Sequence, residues 1–94
     1  MKSIIQTDKE CFMCGSQQWL ENHHVFNGYG NRPLSDKYGL TVWLCHYCHN
    51  ERPNGVHRNA ERNLFLKATV QQKAMEHYDW TVDDFRSIFG KSYL

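Results

Sequence analysis

Two Cys-x-x-Cys pairs constrain this chain more than any other feature. They are Cys11 with Cys14 and Cys45 with Cys48, and they use all four cysteines of the 94 residues. Zinc takes four ligands in a tetrahedron, with Zn–S near ~2.3 Å, and two residues between cysteines let both sulfurs reach one ion from a tight turn. Gly15, directly after Cys14, favours such a turn, with backbone amides facing the sulfurs. The four thiols are therefore expected to bind one structural zinc. His46, inside the second pair, is a rival ligand, but using it would leave one thiol over. A chain of this length buries only a modest core, so a bound metal adds usefully to its stability.

The long separation from Cys14 to Cys45 leaves room for an inserted hairpin. Residues 17–26 read as its first strand, with His23 and His24 near the end. Residues 27–37 hold Gly28, Gly30 and Pro33 and read as a loop. Residues 38–44 include Tyr38, Thr41, Val42 and Trp43, which suit a second strand. Pro53, Asn54 and Gly55 mark another turn. Asn59 is placed to cap a long helix over about residues 60–77, with Leu64, Ala68 and Met75 on its core face. Thr81 and Asp84 form a capping box for a last helix, whose apolar face is Phe85, Ile88 and Phe89 and which Gly90 ends. Residues 1–6 read as a frayed lead-in. The expectation is one α+β domain over residues 1–94, a β-hairpin followed by C-terminal helices.

Composition narrows the partners. A hydrophobic fraction of 40% and an aromatic fraction of 14% are enough for a core and speak against wholesale disorder. The formal charge of +1 lacks the broad basic face of a non-specific DNA coater. Two divalent ions offset four thiolates, so metal binding leaves the total unchanged but concentrates positive charge at one place. No stretch approaches the ~20 apolar residues of a membrane span, and the first ten residues do not read as a signal peptide. The expected location is the cytoplasm, where paired cysteines more often bind metal than form disulfides.

Six histidines are many for 94 residues, and His23, His24, His46, His49 and His57 all lie between Cys14 and the long helix. Zinc would hold the segments that carry them close together. Two or three of these imidazoles then make a second metal site. Neutral nitrogen ligands with open positions suit a catalytic ion better than a structural one. Neighbours in a strand point to opposite faces, so His23 and His24 can share a site only at a strand end or bend. One of the pair can bind metal while the other takes a proton from water. His77, remote on the long helix, reads as a structural or surface residue.

At these residues the chain resembles the HNH endonuclease superfamily, and small phage-type HNH proteins in particular. The matching motifs are Cys11 to Gly15, His23 to Val25, Lys37 to Val42, Leu44 to His49, Gly55 to His57 and the closing Phe89 to Leu94. The resemblance implies a treble-clef (ββα-metal) fold, a structural Zn2+ on the four cysteines and a catalytic divalent ion such as Mg2+, Mn2+, Ni2+ or Zn2+. It implies that His23 is a metal ligand and His24 the general base. The last ligand is His49 or His57, or both. The implied substrate is DNA, with Arg32, Arg52 and Arg58 holding phosphates, in the host cytoplasm if the protein is phage-encoded, and with a second copy or a larger phage or recombination assembly as partner. The chain departs from the family pattern where a central Asn normally stands. Here the region reads Tyr38-Gly39-Leu40, and Tyr38, Asn27 or Asn50 would have to take its place. The rival reading is a zinc module that binds nucleic acid or protein without cutting.

Overall fold

The computed structural model describes residues 2–28, 30–51 and 53–94. Its elements run β1 (Leu20–His24), α1 (Asn31–Tyr38), β2 (Thr41–Cys45), α2 (His46–Asn50), α3 (Ala60–Tyr78) and α4 (Val82–Phe89). The fold is α+β: one two-stranded antiparallel sheet with helices packed around it. None of the described helices is long and apolar enough to cross a membrane.

β1 and β2 pair with Leu20 opposite Cys45, Glu21 opposite Leu44, His23 opposite Val42 and His24 opposite Thr41. The ladder carries the double histidine to the strand end and delivers β2 straight into the second cysteine pair. The strands are shorter than their composition predicts, because the chain on either side is used differently. Trp19 turns into β1 through a left-handed backbone (φ 52), and its carbonyl accepts the His46 N–H at 2.9 Å.

The expected loop at residues 27–37 contains a helix instead. Pro33 stands in the first turn of α1, where a missing N–H costs nothing, and Gly39 closes the helix in the left-handed region at φ 71. A Cβ on Gly39 would also lie 2.6 Å from the Lys2 carbonyl, so the position excludes larger residues twice over. Buried Ser35 docks α1 on the hairpin. Its hydroxyl donates to the Phe26 carbonyl at 2.5 Å and accepts the Phe26 N–H at 3.1 Å. This fixes the segment directly after His24.

From Lys2 onward the N-terminal segment is not frayed; Met1 lies outside the described residues. Ile4 N–H donates to Gly39 O at 2.9 Å, the Ser3 hydroxyl donates to Thr41 O, and Gln6 Oε1 accepts the Trp43 N–H at 2.8 Å. The segment thus lies along β2, with Ile4 and Ile5 packed against the core.

The core joins Val25, Phe26, Leu40, Val42 and Leu44 of the hairpin region to Leu66, Val70 and Ala74 of α3 and to Phe85 and Phe89 of α4. Phe26 lies at its centre, with ring centroids of Phe85 and Phe89 at 5.1 and 4.9 Å. The core face of α3 differs in part from the expected one: Met75 packs against the core, but Leu64 does not. Leu64 is 53% exposed, whereas Leu66 is fully buried. Leu64, Phe65 and Leu66 are consecutive apolar residues, so the helical period alone admits more than one face, and packing into the core selects Leu66. Gln71 is also buried. Its amide donates to Ser92 Oγ and accepts the Tyr93 N–H at 2.7 Å, which pins the C-terminal segment.

The helix signals correspond to the structure. Asn59 caps α3 by accepting the Arg62 N–H. Thr81 and Asp84 make both bonds of the capping box, and Gly90 terminates α4.

Candidate metal centres

The first grouping is sulfur. One Sγ each from Cys11, Cys14, Cys45 and Cys48 lies within 4.8 Å of the others, and no disulfide joins them. Cys14 and Cys45 approach to 3.6 Å. Two sulfurs on one tetrahedral zinc stand ~3.8 Å apart, so the spacing fits the ion. The knuckle is folded by Cys11 N–H donating to Ser16 O and Gly15 N–H donating to Cys11 O, and it is tied to β2 by Phe12 N–H donating to Trp43 O at 2.8 Å. Burial acts to raise the Cys11 thiol, yet the backbone amides of Cys45, Cys14 and Met13 draw it down to about 7. Burial, with the neighbouring sulfurs adding to it, pushes the Cys48 thiol up. Four thiolates packed this closely would repel one another, and a bound cation offsets that repulsion. His46 lies outside this set. It is exposed, and its ring is held between Glu21 and Glu51 at 3.2 and 2.9 Å.

The second grouping is imidazole. One ring nitrogen each from His23, His49 and His57 lies within 4.8 Å of the others. His23 comes from β1 and His49 from α2. His57 comes from the chain leading into α3, and the turn at Gly55 brings it in. A Cβ on Gly55 would stand 2.6 Å from Glu51 O and 2.7 Å from Glu51 N, an approach that only glycine permits. The chain then runs back along α2, with Val56 N–H donating to Cys48 O and His57 N–H donating to His49 O at 3.2 Å.

The two Nε2 atoms of His49 and His57 lie 3.0 Å apart. Nitrogens sharing one tetrahedral zinc stand ~3.4 Å apart. His23 Nε2 is buried without a hydrogen-bond partner, and burial holds its imidazole down at about 3, with the rings of His49 and His57 contributing. A buried, neutral, unpartnered imidazole facing two others is a donor set suited to a divalent cation.

A cleft of about 220 Å3 opens onto this cluster, lined by Asn22, His23, His24, Asn27, Arg32, His49 and His57. His24 is therefore in the same cleft without belonging to the imidazole trio. Its Nε2 stands 3.7 Å from Asp36 Oδ1 on α1, and Asn27 Nδ2 reaches its backbone carbonyl at 3.5 Å. Arg32 shares the cleft. Arg58 does not: its Nε donates to Asn50 O at 3.3 Å, and it lines a different cleft with His46, Asn50 and Glu51. Arg52 lies outside the described residues. His77 is exposed on α3 and packs edge-on against Tyr78 at 4.7 Å.

Two neighbours of the cluster were not picked out by sequence. Asp36 belongs to the helix that composition hid. Glu21 accepts from His49 Nδ1 at 2.7 Å, and the His49 and His46 hydrogen bonds together hold its carboxyl below the usual range. Strand alternation is the signal that points to Glu21, since it stands two residues before His23 and so on the same face of β1. A larger cleft of about 660 Å3, lined by Trp19, Leu20, Glu21, His46, Tyr47 and Glu51, contains none of the three clustered imidazoles.

Comparison with protein-family models, curated proteins and solved structures gives no match to this chain.

Proposed function

We propose that the protein is a metal-dependent endonuclease of the HNH type, hydrolysing phosphodiester bonds in DNA. On this reading the hairpin, the second cysteine pair and the chain entering α3 make a ββα-metal, treble-clef-like unit, with structural zinc on the four cysteines. The observation that carries the reading is the pairing of three clustered imidazoles with a fourth, His24, in the same cleft.

His23, His49 and His57 are the residues that would hold the catalytic ion. When bound, a divalent ion supplies the positive charge that stabilises the phosphate and the leaving oxygen as negative charge builds on them. His24 is the group left free to take a proton from water. Asp36 Oδ1 stands 3.7 Å from its Nε2, a carboxylate placed to orient the ring. Arg32 on the cleft wall is placed to hold a neighbouring phosphate.

Three residues were candidates for the role of the family's central Asn, which ties down the segment carrying the base. Asn27 fits best, since its amide reaches the His24 carbonyl. Asn50 is engaged with Glu21, and the Tyr38 ring packs against Tyr78 and Trp80.

Incubation of supercoiled plasmid with zinc-loaded protein and added Mg2+, Mn2+ or Ni2+ tests the proposal. The expected result is metal-dependent nicking or linearisation that EDTA stops. DNA binding that falls with salt, without cleavage under any metal, would favour the non-cutting zinc module.

A further inference from the structure

We propose that Glu21 is the positioning residue of the imidazole site: it fixes His49 in the tautomer that carries its proton on Nδ1 and leaves the Nε2 lone pair for the ion. The inference rests on the reading that His23, His49 and His57 hold a metal, and it adds a residue to which neither the motifs nor that reading assigns a role.

Glu21 Oε1 lies 2.7 Å from His49 Nδ1. A carboxylate only accepts, so this contact requires the proton on Nδ1. In a neutral ring Nε2 is then a lone pair, and it faces His57 Nε2 at 3.0 Å. The other tautomer would set a lone pair against the carboxylate and put the proton on Nε2, so the nitrogen that faces the cluster could not bind an ion. Carboxylate–histidine pairs of this kind set ligand orientation and basicity at metal sites.

Glu21 is itself held. Asn50 Nδ2 donates to the same Oε1 at 3.2 Å. The 3.3 Å approach of Asn50 Nδ2 to His49 Nδ1 is therefore two donors converging on one oxygen. The other oxygen, Oε2, faces His46 Nδ1 at 3.2 Å, and His46 Nε2 in turn faces Glu51 Oε1 at 2.9 Å. Glu51, His46 and Glu21 make a run of polar contacts that leads from the surface to His49. His46 thereby gains a part in the molecule as a brace, outside the cysteine set. Glu21 reaches the site from the same strand face as His23, so one strand supplies both a ligand and the support of another ligand.

The test uses the full chain with its cysteine zinc in place. The first readout is the ring 15N NMR spectrum of His49 without a second metal. The wild type is expected to show the Nδ1–H tautomer, and Glu21→Ala is expected to lose that preference. The second readout is Ni2+ titration by calorimetry. Glu21→Ala should bind Ni2+ at the imidazole site ~10–100-fold more weakly, with Glu21→Gln falling between, because its amide oxygen can still accept from Nδ1. One zinc per chain and an unchanged melting profile identify variants that fold normally. A Glu21→Ala variant that keeps the tautomer and binds Ni2+ within about twofold of wild type overturns the proposal alone. A wild type that takes up no Ni2+ at the imidazoles overturns it together with the site reading.

Discussion

The Nε2 atoms of His49 and His57 face each other at 3.0 Å, although one residue lies in a short helix and the other beyond a turn. Gly55 makes the meeting possible, because the chain there passes so close to Glu51 that a Cβ would stand 2.6 Å from a backbone oxygen. A backbone atom cannot swing away as a side chain can. Gly55→Ala should therefore destabilise the fold by ~1–3 kcal/mol and weaken divalent metal binding at the imidazoles. Urea unfolding and metal titration of the one variant check both effects.

The cysteine cluster predicts dependence of folding on zinc. Ligand binding that exists only in the folded state adds its free energy to folding. Strong chelation, or Cys48→Ser, should abolish cooperative thermal unfolding. Calorimetric melts of zinc-loaded and chelated protein are the check, and a chelated protein that melts as sharply as the loaded one would contradict it.

The two faces of α3 give a paired prediction. Leu66→Ala removes a fully buried side chain from the core and should cost ~2–5 kcal/mol. Leu64→Ala, two residues earlier and 53% exposed, should fall within about 0.5 kcal/mol of wild type. Denaturant midpoints for the two variants distinguish the faces directly.

That pair also shows what was legible in the sequence and what was not. The Asn59 and Thr81–Asp84 caps were readable because capping is local: a side chain meets an amide three residues on. The hairpin was readable from residue type, though its ends were set by Trp19 and by the cysteine pair. α1 was not, since Gly28, Gly30 and Pro33 match a loop in composition while Pro33 is harmless in a first helical turn. The choice of Leu66 over Leu64 was closed to sequence because both are apolar, and only packing into the core decides. Cysteine and histidine types disclosed the two candidate metal groupings. The supports, Glu21 and Asp36, depended on register and on a helix that composition concealed.

Acid should destabilise the protein through His23. Burial holds this imidazole at about 3 in the folded chain, against ~6.5 unfolded. Between those values the unfolded chain binds a proton that the folded chain does not. The stabilisation is therefore present above ~6.5 and lost as pH falls toward 3. An ion on the same ring acts in the same direction, since it too competes with the proton. By pH 5 the loss attributable to His23 should reach ~2 kcal/mol. Urea unfolding at pH 7.5, 6 and 5 should show a steeper decline for wild type than for His23→Leu, with the difference isolating His23 from protonation of the cysteine cluster.

The central claim is that His23 holds an ion while His24, in the same cleft, moves a proton. Plasmid cleavage rates measured against added metal for wild type, His23→Ala and His24→Ala test it most directly. His23→Ala is expected to need more metal and to regain part of its rate as metal is raised. His24→Ala is expected to bind metal normally yet cleave ~10²–10⁴-fold more slowly at every metal concentration. Full cleavage by the His24→Ala protein would rule out His24 as the proton acceptor.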